Sequence, residues 1–230
     1  MKVLRHLPNA LTCGNLLCGC LGILMLPQYP RLEVAAYFVW AACLFDFFDG
    51  FAARILKVSS PIGKELDSLA DMVSFGILPA LVMYSLINSV APYPAYAYLA
   101  FSLAVFSAVR LAKFNLDENQ KNTFSGLPTP ANGLFITSLV FLPAPANDLT
   151  TNSLLLILIT LVFSWLLVAP IKLFALKFRN FTWEDNRIRF TFIALSVLLL
   201  MWLREGSISL IILLYIGLSL TVGVLSVQKN

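Results

Sequence analysis

Long apolar stretches dominate this chain, and short polar or proline-rich breaks cut them into eight pieces. The breaks include Pro27–Pro30, Pro92–Pro94, Pro128–Pro130 and Pro143–Pro145, where proline removes a backbone donor and disfavours helix in the residue before it. The pattern predicts helices near residues 10–27, 33–57, 62–89, 95–115, 130–144, 152–170, 187–203 and 207–226. Residues 72–109, 149–171 and 206–228 carry no charge at all, and each run is long enough to cross a hydrocarbon core of about 30 Å. The fold expected is an all-α integral membrane protein, a polytopic helical bundle of about eight transmembrane helices. No polar stretch is long enough to fold separately, so residues 1–230 are expected to form a single membrane domain.

Composition agrees. The chain is 59% hydrophobic and only 12% charged, against about 25% charged in ordinary soluble domains. Met1–His6 is basic and precedes an apolar run. That run carries Asn9, Thr12 and Asn15 and lacks a small-residue cleavage site, so it is expected to stay as the first helix. Starting inside, the layout puts Lys2, Arg5, Arg54, Lys57, Lys64, Arg110, Lys113, Lys121, Lys172, Lys177, Arg179, Arg187, Arg189 and Lys229 on the cytoplasmic side. Only Arg31 and Arg204 fall outside. This asymmetry predicts a prokaryotic inner (plasma) membrane protein with both termini facing the cytoplasm. In the seventh helix, Arg187 and Arg189 would have to snorkel. Cys13, Cys18, Cys20 and Cys43 are spaced around helices and read as reduced apolar side chains, not a metal cluster.

Against this background four acids stand out: Asp46, Asp49, Asp67 and Asp71. On insertion scales each costs roughly 2.5–3.5 kcal/mol near a bilayer centre, or on the order of 10 kcal/mol together. Asp46 and Asp49 are spaced i,i+3 and Asp67 and Asp71 i,i+4, so each pair shares one helix face. Gly50, Ala53 and Gly63 lie a turn from the acids and let a flat ligand or a backbone come close. Paired carboxylates on neighbouring helices are how bundles build dinuclear metal sites. Oxygen ligands without His or Cys favour Mg²⁺ or Mn²⁺, and four carboxylates balance two such ions. Arg54, one turn beyond Gly50, adds a charge for phosphate oxygens. His6, the only histidine, falls outside the cluster. A cation- or proton-coupled transporter also places acids in the membrane, but it does not require small residues at fixed spacing beside them.

The run D-x-x-D-G-x-x-A-R-x8-G-x-x-x-D-x-x-x-D, from Asp46 to Asp71, resembles the signature of the CDP-alcohol phosphotransferases without departure at any position. Flanking runs are similar to the phosphatidylserine synthase branch of that family. They are Pro8–Thr12 with Asn15 and Gly19, Gly63–Asp71 with Ser74–Gly76 and Pro79, Val109–Asn115, and Phe124–Pro130. The branch more often has Arg where Lys113 stands. The resemblance covers a catalytic core of about 8–135, with additional helices to 226.

The resemblance implies transfer of a phosphatidyl group from CDP-diacylglycerol to an alcohol with divalent metal. Asp46, Asp49, Asp67 and Asp71 would form the metal site, Asp71 would be the general base, and Gly50, Ala53 and Gly63 would make room for the nucleotide. The branch implies L-serine as acceptor; glycerol 3-phosphate and inositol phosphate are the alternatives within the same chemistry. Arg110, Lys113 and Asn115 are candidates for serine or lipid phosphate, or are ordinary cytoplasmic-side polarity. Asn9, Thr12, Asn15 and Ser68 are candidates for nucleotide or phosphate contact, with helix capping or packing the other reading for the first three. Attraction to anionic lipid accounts for Lys172, Lys177, Arg179, Arg187 and Arg189. No Ser, Cys or His stands in the motif as a covalent nucleophile, which favours direct displacement. The expected partners are CDP-diacylglycerol, L-serine, bilayer lipids and, by resemblance, a second copy in a homodimer. Nothing points to nucleic acid.

Overall fold

Each apolar stretch folds as helix, and the ends follow local chemistry. The protein is described here from a computed structural model covering residues 3–27, 31–58, 60–116, 124–142, 148–173 and 182–227. The proline breaks at 28–30 and 143–145 lie outside the described residues, as do Lys2, Lys121, Lys177, Arg179 and Lys229. Helix α1 spans Leu7–Met25 and α2 spans Glu33–Leu56. Helix α2 stops where Lys57 turns left-handed at φ 51° and returns its N–H to Ala53 and Arg54, a helix-ending conformation that glycine more often supplies. Three residues on, the Ser60 hydroxyl accepts from the Gly63 N–H at 3.0 Å and Pro61 takes the first helical position of α3 (Pro61–Asp71). A π-turn (Met72–Ile77) then joins α3 to α4 (Leu78–Val90) without a break.

The chain continues through a 3₁₀ stretch (Pro94–Phe101) into α5 (Ser102–Leu116). It goes on through α6 (Thr129–Ser138), a single turn α7 (Asp148–Thr151), α8 (Ser153–Val168), α9 (Trp183–Leu203) and α10 (Ser207–Val227). The β structure among the described residues is one two-residue pairing, with Phe124 opposite Leu173 and Ser125 opposite Lys172.

Five helical stretches are long and apolar enough to cross a membrane: Leu7–Met25, Glu33–Leu56, Pro61–Val90, Pro94–Leu116 and Asn186–Thr221. The last is interrupted at Arg204, which adopts φ 49° between α9 and α10. Thr129–Phe141 and Ser153–Val168 are apolar but shorter than the roughly 20 residues a straight crossing needs. Helix length therefore supports five apolar stretches among the described residues, the last made of two helices of 21 residues each, α9 and α10, and so fewer than the eight segments that hydropathy separates.

Packing explains how α1 reaches the acids. Its buried residues include Pro8, Thr12, Asn15, Gly19 and Gly22, alternating four and three apart along one face. At Gly19 an added Cβ would strike Ser74 of the π-turn, and at Gly22 it would strike Leu78. The glycines therefore let α1 lie close against the π-turn and α4, while Thr12 and Asn15 face inward higher on the same stripe. The core beneath is apolar, with Phe75, Leu78, Met83, Ile87, Leu103, Ile136, Leu156 and Leu167 fully buried. On the opposite surface, Met201 and Trp202 are 79% and 83% exposed, which suits side chains facing lipid and not water.

Candidate active site

The turn between α2 and α3 sets the depth of the acids. Asp49 lies seven residues before the end of α2 and Asp67 six after the start of α3, so at 1.5 Å per residue both stand about 10 Å from the turn. Asp46 and Asp71 stand one turn deeper. The structure brings carboxylate oxygens of Asp46, Asp49 and Asp67 within 4.8 Å of one another. Asp71 is outside that trio and neighbours it, with Asp46 and Asp67 on one side and the Arg110 guanidinium in electrostatic reach on the other.

Helix α1 holds two of the four. The Thr12 hydroxyl approaches Asp49 Oδ2 at 2.7 Å and the Pro8 carbonyl at 3.1 Å. Asn15 Nδ2 donates to Asp71 Oδ1 at 3.1 Å, and the Ser74 hydroxyl donates to the Asn15 carbonyl at 2.9 Å. Asp49 and Asp71 are each 7% exposed. Three carboxylates this close would repel by roughly 3 kcal/mol per pair at an effective dielectric of ~20. The trio contains only oxygen donors, so it fits a hard divalent cation of the Mg²⁺ or Mn²⁺ kind.

A cavity of about 570 Å³ reaches two of these acids, Asp49 and Asp67. Asp49, Asp67, Thr12 and Gly50 line it together with Asn9, Ala53, Gly63, Ser60, Lys64, Arg5 and His6. A Cβ on Gly50 would meet nothing within 4 Å, whereas one on Gly63 would stand 3.0 Å from both Asn9 Oδ1 and Ser60 Oγ. Gly50 thus leaves open space above the acids, and Gly63 allows α1 and α3 to meet. Of the candidate ligand contacts, Asn9, Thr12, Gly50, Ala53 and Gly63 line the cavity. Asn15 is buried against Asp71, and Arg54 is exposed and absent from the lining.

The remaining candidates divide. Ser68 and Asn115 meet each other: Asn115 Nδ2 donates to Ser68 Oγ at 3.0 Å and to Glu65 Oε2 at 3.3 Å, while Lys64 Nζ donates to the Asn115 carbonyl at 2.7 Å. This clasp ties the acid-bearing α3 to α5. Lys113 is exposed. Arg110 is buried and its Nη1 donates to Thr129 Oγ1 at 2.8 Å, with the Phe114 ring 5.9 Å from its guanidinium carbon. The sequence reading missed Arg5, His6, Ser60 and Lys64 as cavity residues. They sit at helix ends, where a basic or capping residue carries no distinctive spacing.

The signature of the CDP-alcohol phosphatidyltransferase family matches residues 5–170, taking in every element from α1 to α8. The chain belongs to this family. It is therefore a phosphatidyltransferase with membrane-length helices, and α9 and α10 lie beyond the matched region. A curated relative from Bacillus subtilis (strain 168), named CDP-diacylglycerol–serine O-phosphatidyltransferase, is 36% identical over 169 residues, 74% of this chain and 90% of that protein. Relatives of the same name occur in Helicobacter pylori (strain 26695), 28% identical over 205 residues with 86% and 81% covered, and in Methanocaldococcus jannaschii, 34% identical over 161 residues with 70% of each covered.

Proposed function

We propose that this family member transfers the phosphatidyl group of CDP-diacylglycerol to L-serine, giving phosphatidylserine and CMP. The observation that carries the reading is the three-carboxylate group, two of whose members line an open cavity together with glycine and alanine, within membrane-length helices. The names of the similar proteins support serine as acceptor. Asp46, Asp49 and Asp67, with Asp71 beside them, are the residues assigned to hold Mg²⁺ or Mn²⁺, one ion or two. When bound, such a cation neutralises diphosphate charge and steadies the departing CMP.

The chain's own residues do the rest. Gly50, Ala53 and Gly63 leave space for the nucleotide above the acids, and Asn9 and Thr12 border that space with Arg5, His6 and Lys64. Serine's hydroxyl oxygen attacks the phosphorus that carries diacylglycerol. The new O–P bond forms as the bond from that phosphorus to the bridging oxygen breaks, and CMP leaves with the electron pair. The hydroxyl proton passes to Asp71, whose Oδ1 is held by Asn15, so that Oδ2 is the oxygen available to receive it. The buried Arg110 guanidinium beside Asp71 is assigned to the acceptor's carboxylate. The active site is assigned to the cytoplasmic face of the prokaryotic inner membrane, and the assembly to a homodimer.

The test is an acceptor panel. Purified protein receives CDP-diacylglycerol and Mn²⁺ or Mg²⁺ with serine, glycerol 3-phosphate or inositol phosphate in turn. Serine-dependent phosphatidylserine formation is expected; product with a phosphorylated acceptor, and none with serine, overturns the assignment.

A further inference from the structure

A second set of polar groups lies behind Asp71, and packing alone does not explain it. Helices α5 and α6 are joined by the bond from Arg110 to Thr129. One turn away on each helix stand Ser107 and Asn132, both at 0% exposure. Ser107 Oγ, Arg110 Nε and both Asn132 side-chain atoms, Nδ2 and Oδ1, have no hydrogen-bond partner among the described residues. Both helices pack against the π-turn. A Cβ on Gly76 would come 3.2 Å from the Ser107 Cβ, and one on Gly133, next to Asn132, would come 3.3 Å from Phe75. Arg110 and Asp71 are both buried and lie within electrostatic reach of each other, which links this set to the acids.

Well over nine-tenths of buried polar groups in proteins are paired, and each one left unpaired is costly. A leucine at 132 would avoid that cost. Insertion of a π-turn into an α-helix commonly marks a functional position. The groups offer guanidinium and amide N–H donors for an anion and an amide oxygen acceptor for a cation, the complement of a small amino-acid zwitterion.

Resting on the proposed function, we infer that Ser107, Arg110 and Asn132 form the recognition site for the acceptor's amino-acid headgroup. Arg110 takes the carboxylate and Asn132 Oδ1 accepts from the ammonium. Serine enters with its hydroxyl toward Asp71, the carboxylate within electrostatic reach of Arg110.

Asn132→Leu separates this role from a packing role. A merely structural orphan amide predicts equal or higher Tm and an unchanged KM for serine. A headgroup contact predicts that the KM for serine rises at least tenfold, the scale of one hydrogen bond to a charged group, while CMP binding is retained. The variant should also lose the preference for serine over 3-hydroxypropionate, which lacks the ammonium. Asn132→Ala should show the same KM shift and serves if the leucine variant does not fold. A wild-type enzyme that needs serine, with both variants keeping the parental KM, overturns this inference alone. A wild-type enzyme indifferent to serine overturns the acceptor reading beneath it.

Discussion

Gly50 is the residue at which structure and function pull apart most cleanly. An added methyl group there meets nothing, and alanine in a helix interior is worth about 0.5–1 kcal/mol over glycine. Gly50→Ala should therefore raise Tm slightly while weakening CMP binding at least tenfold, because the methyl would occupy nucleotide space. Calorimetric titration with CMP checks this, and unchanged affinity would remove Gly50 from the ligand site. Asn15 makes the opposite case. Asn15→Ala strips Asp71 of its buried donor, and such losses cost about 1–3 kcal/mol. Stability should fall by that order, and kcat should fall more than the KM for CDP-diacylglycerol rises. Asp46→Asn or Asp67→Asn should shift the Mn²⁺ activation curve to higher concentration; an unmoved curve would contradict their assignment as ligands. The four acids were legible in the sequence because charge inside an apolar stretch is conspicuous. Asn132 was not, since a single amide in a helix acquires meaning only when the fold buries it without a partner one turn from the Arg110–Thr129 bond.

Among elements, hydropathy located the helices to within a few residues of their ends, but not how many of them are long enough to cross a membrane. The breaks at Lys57–Ser60 and near Thr129 fall where the sequence places them, because capping serines and prolines act locally. The π-turn at Met72–Ile77 was invisible: Pro61–Val90 reads as one apolar helix, and the extra residue is set by packing against α1 and α5. Ser68 and Asn115, both candidate ligand contacts, hydrogen-bond each other and clasp α3 to α5, a pairing that depends on helix placement. Gly126 carries another element-scale prediction. It sits at φ +80°, its N–H donates to the Ile171 carbonyl, and an added Cβ would run into the Leu167 carbonyl. Gly126→Ala should destabilise by at least about 1–2 kcal/mol, since both the backbone angle and the clash oppose it. An unchanged thermal unfolding midpoint would show that the seam between Gly126 and the end of α8 is not needed for stability.

For the whole molecule, the charge asymmetry predicts where the chemistry occurs. Cytoplasmic reporters fused to either end should be active and periplasmic ones silent; the reverse result at the N-terminus would move the carboxylates to the wrong side for CDP-lipid. The elements that carry the proposed site all lie within the family-matched residues 5–170, and α9 and α10 add apolar surface beyond them. The central claim is that the buried aspartates carry phosphatidyl transfer to serine, and one measurement tests it directly. Purified wild-type protein and Asp71→Asn are supplied with CDP-diacylglycerol, Mn²⁺ and labelled serine, while CMP release and labelled lipid are followed together. The account predicts one CMP for each phosphatidylserine with the wild type, and CDP-diacylglycerol binding without turnover in the variant. CMP release that ignores serine, or turnover that survives the loss of Asp71, would contradict it.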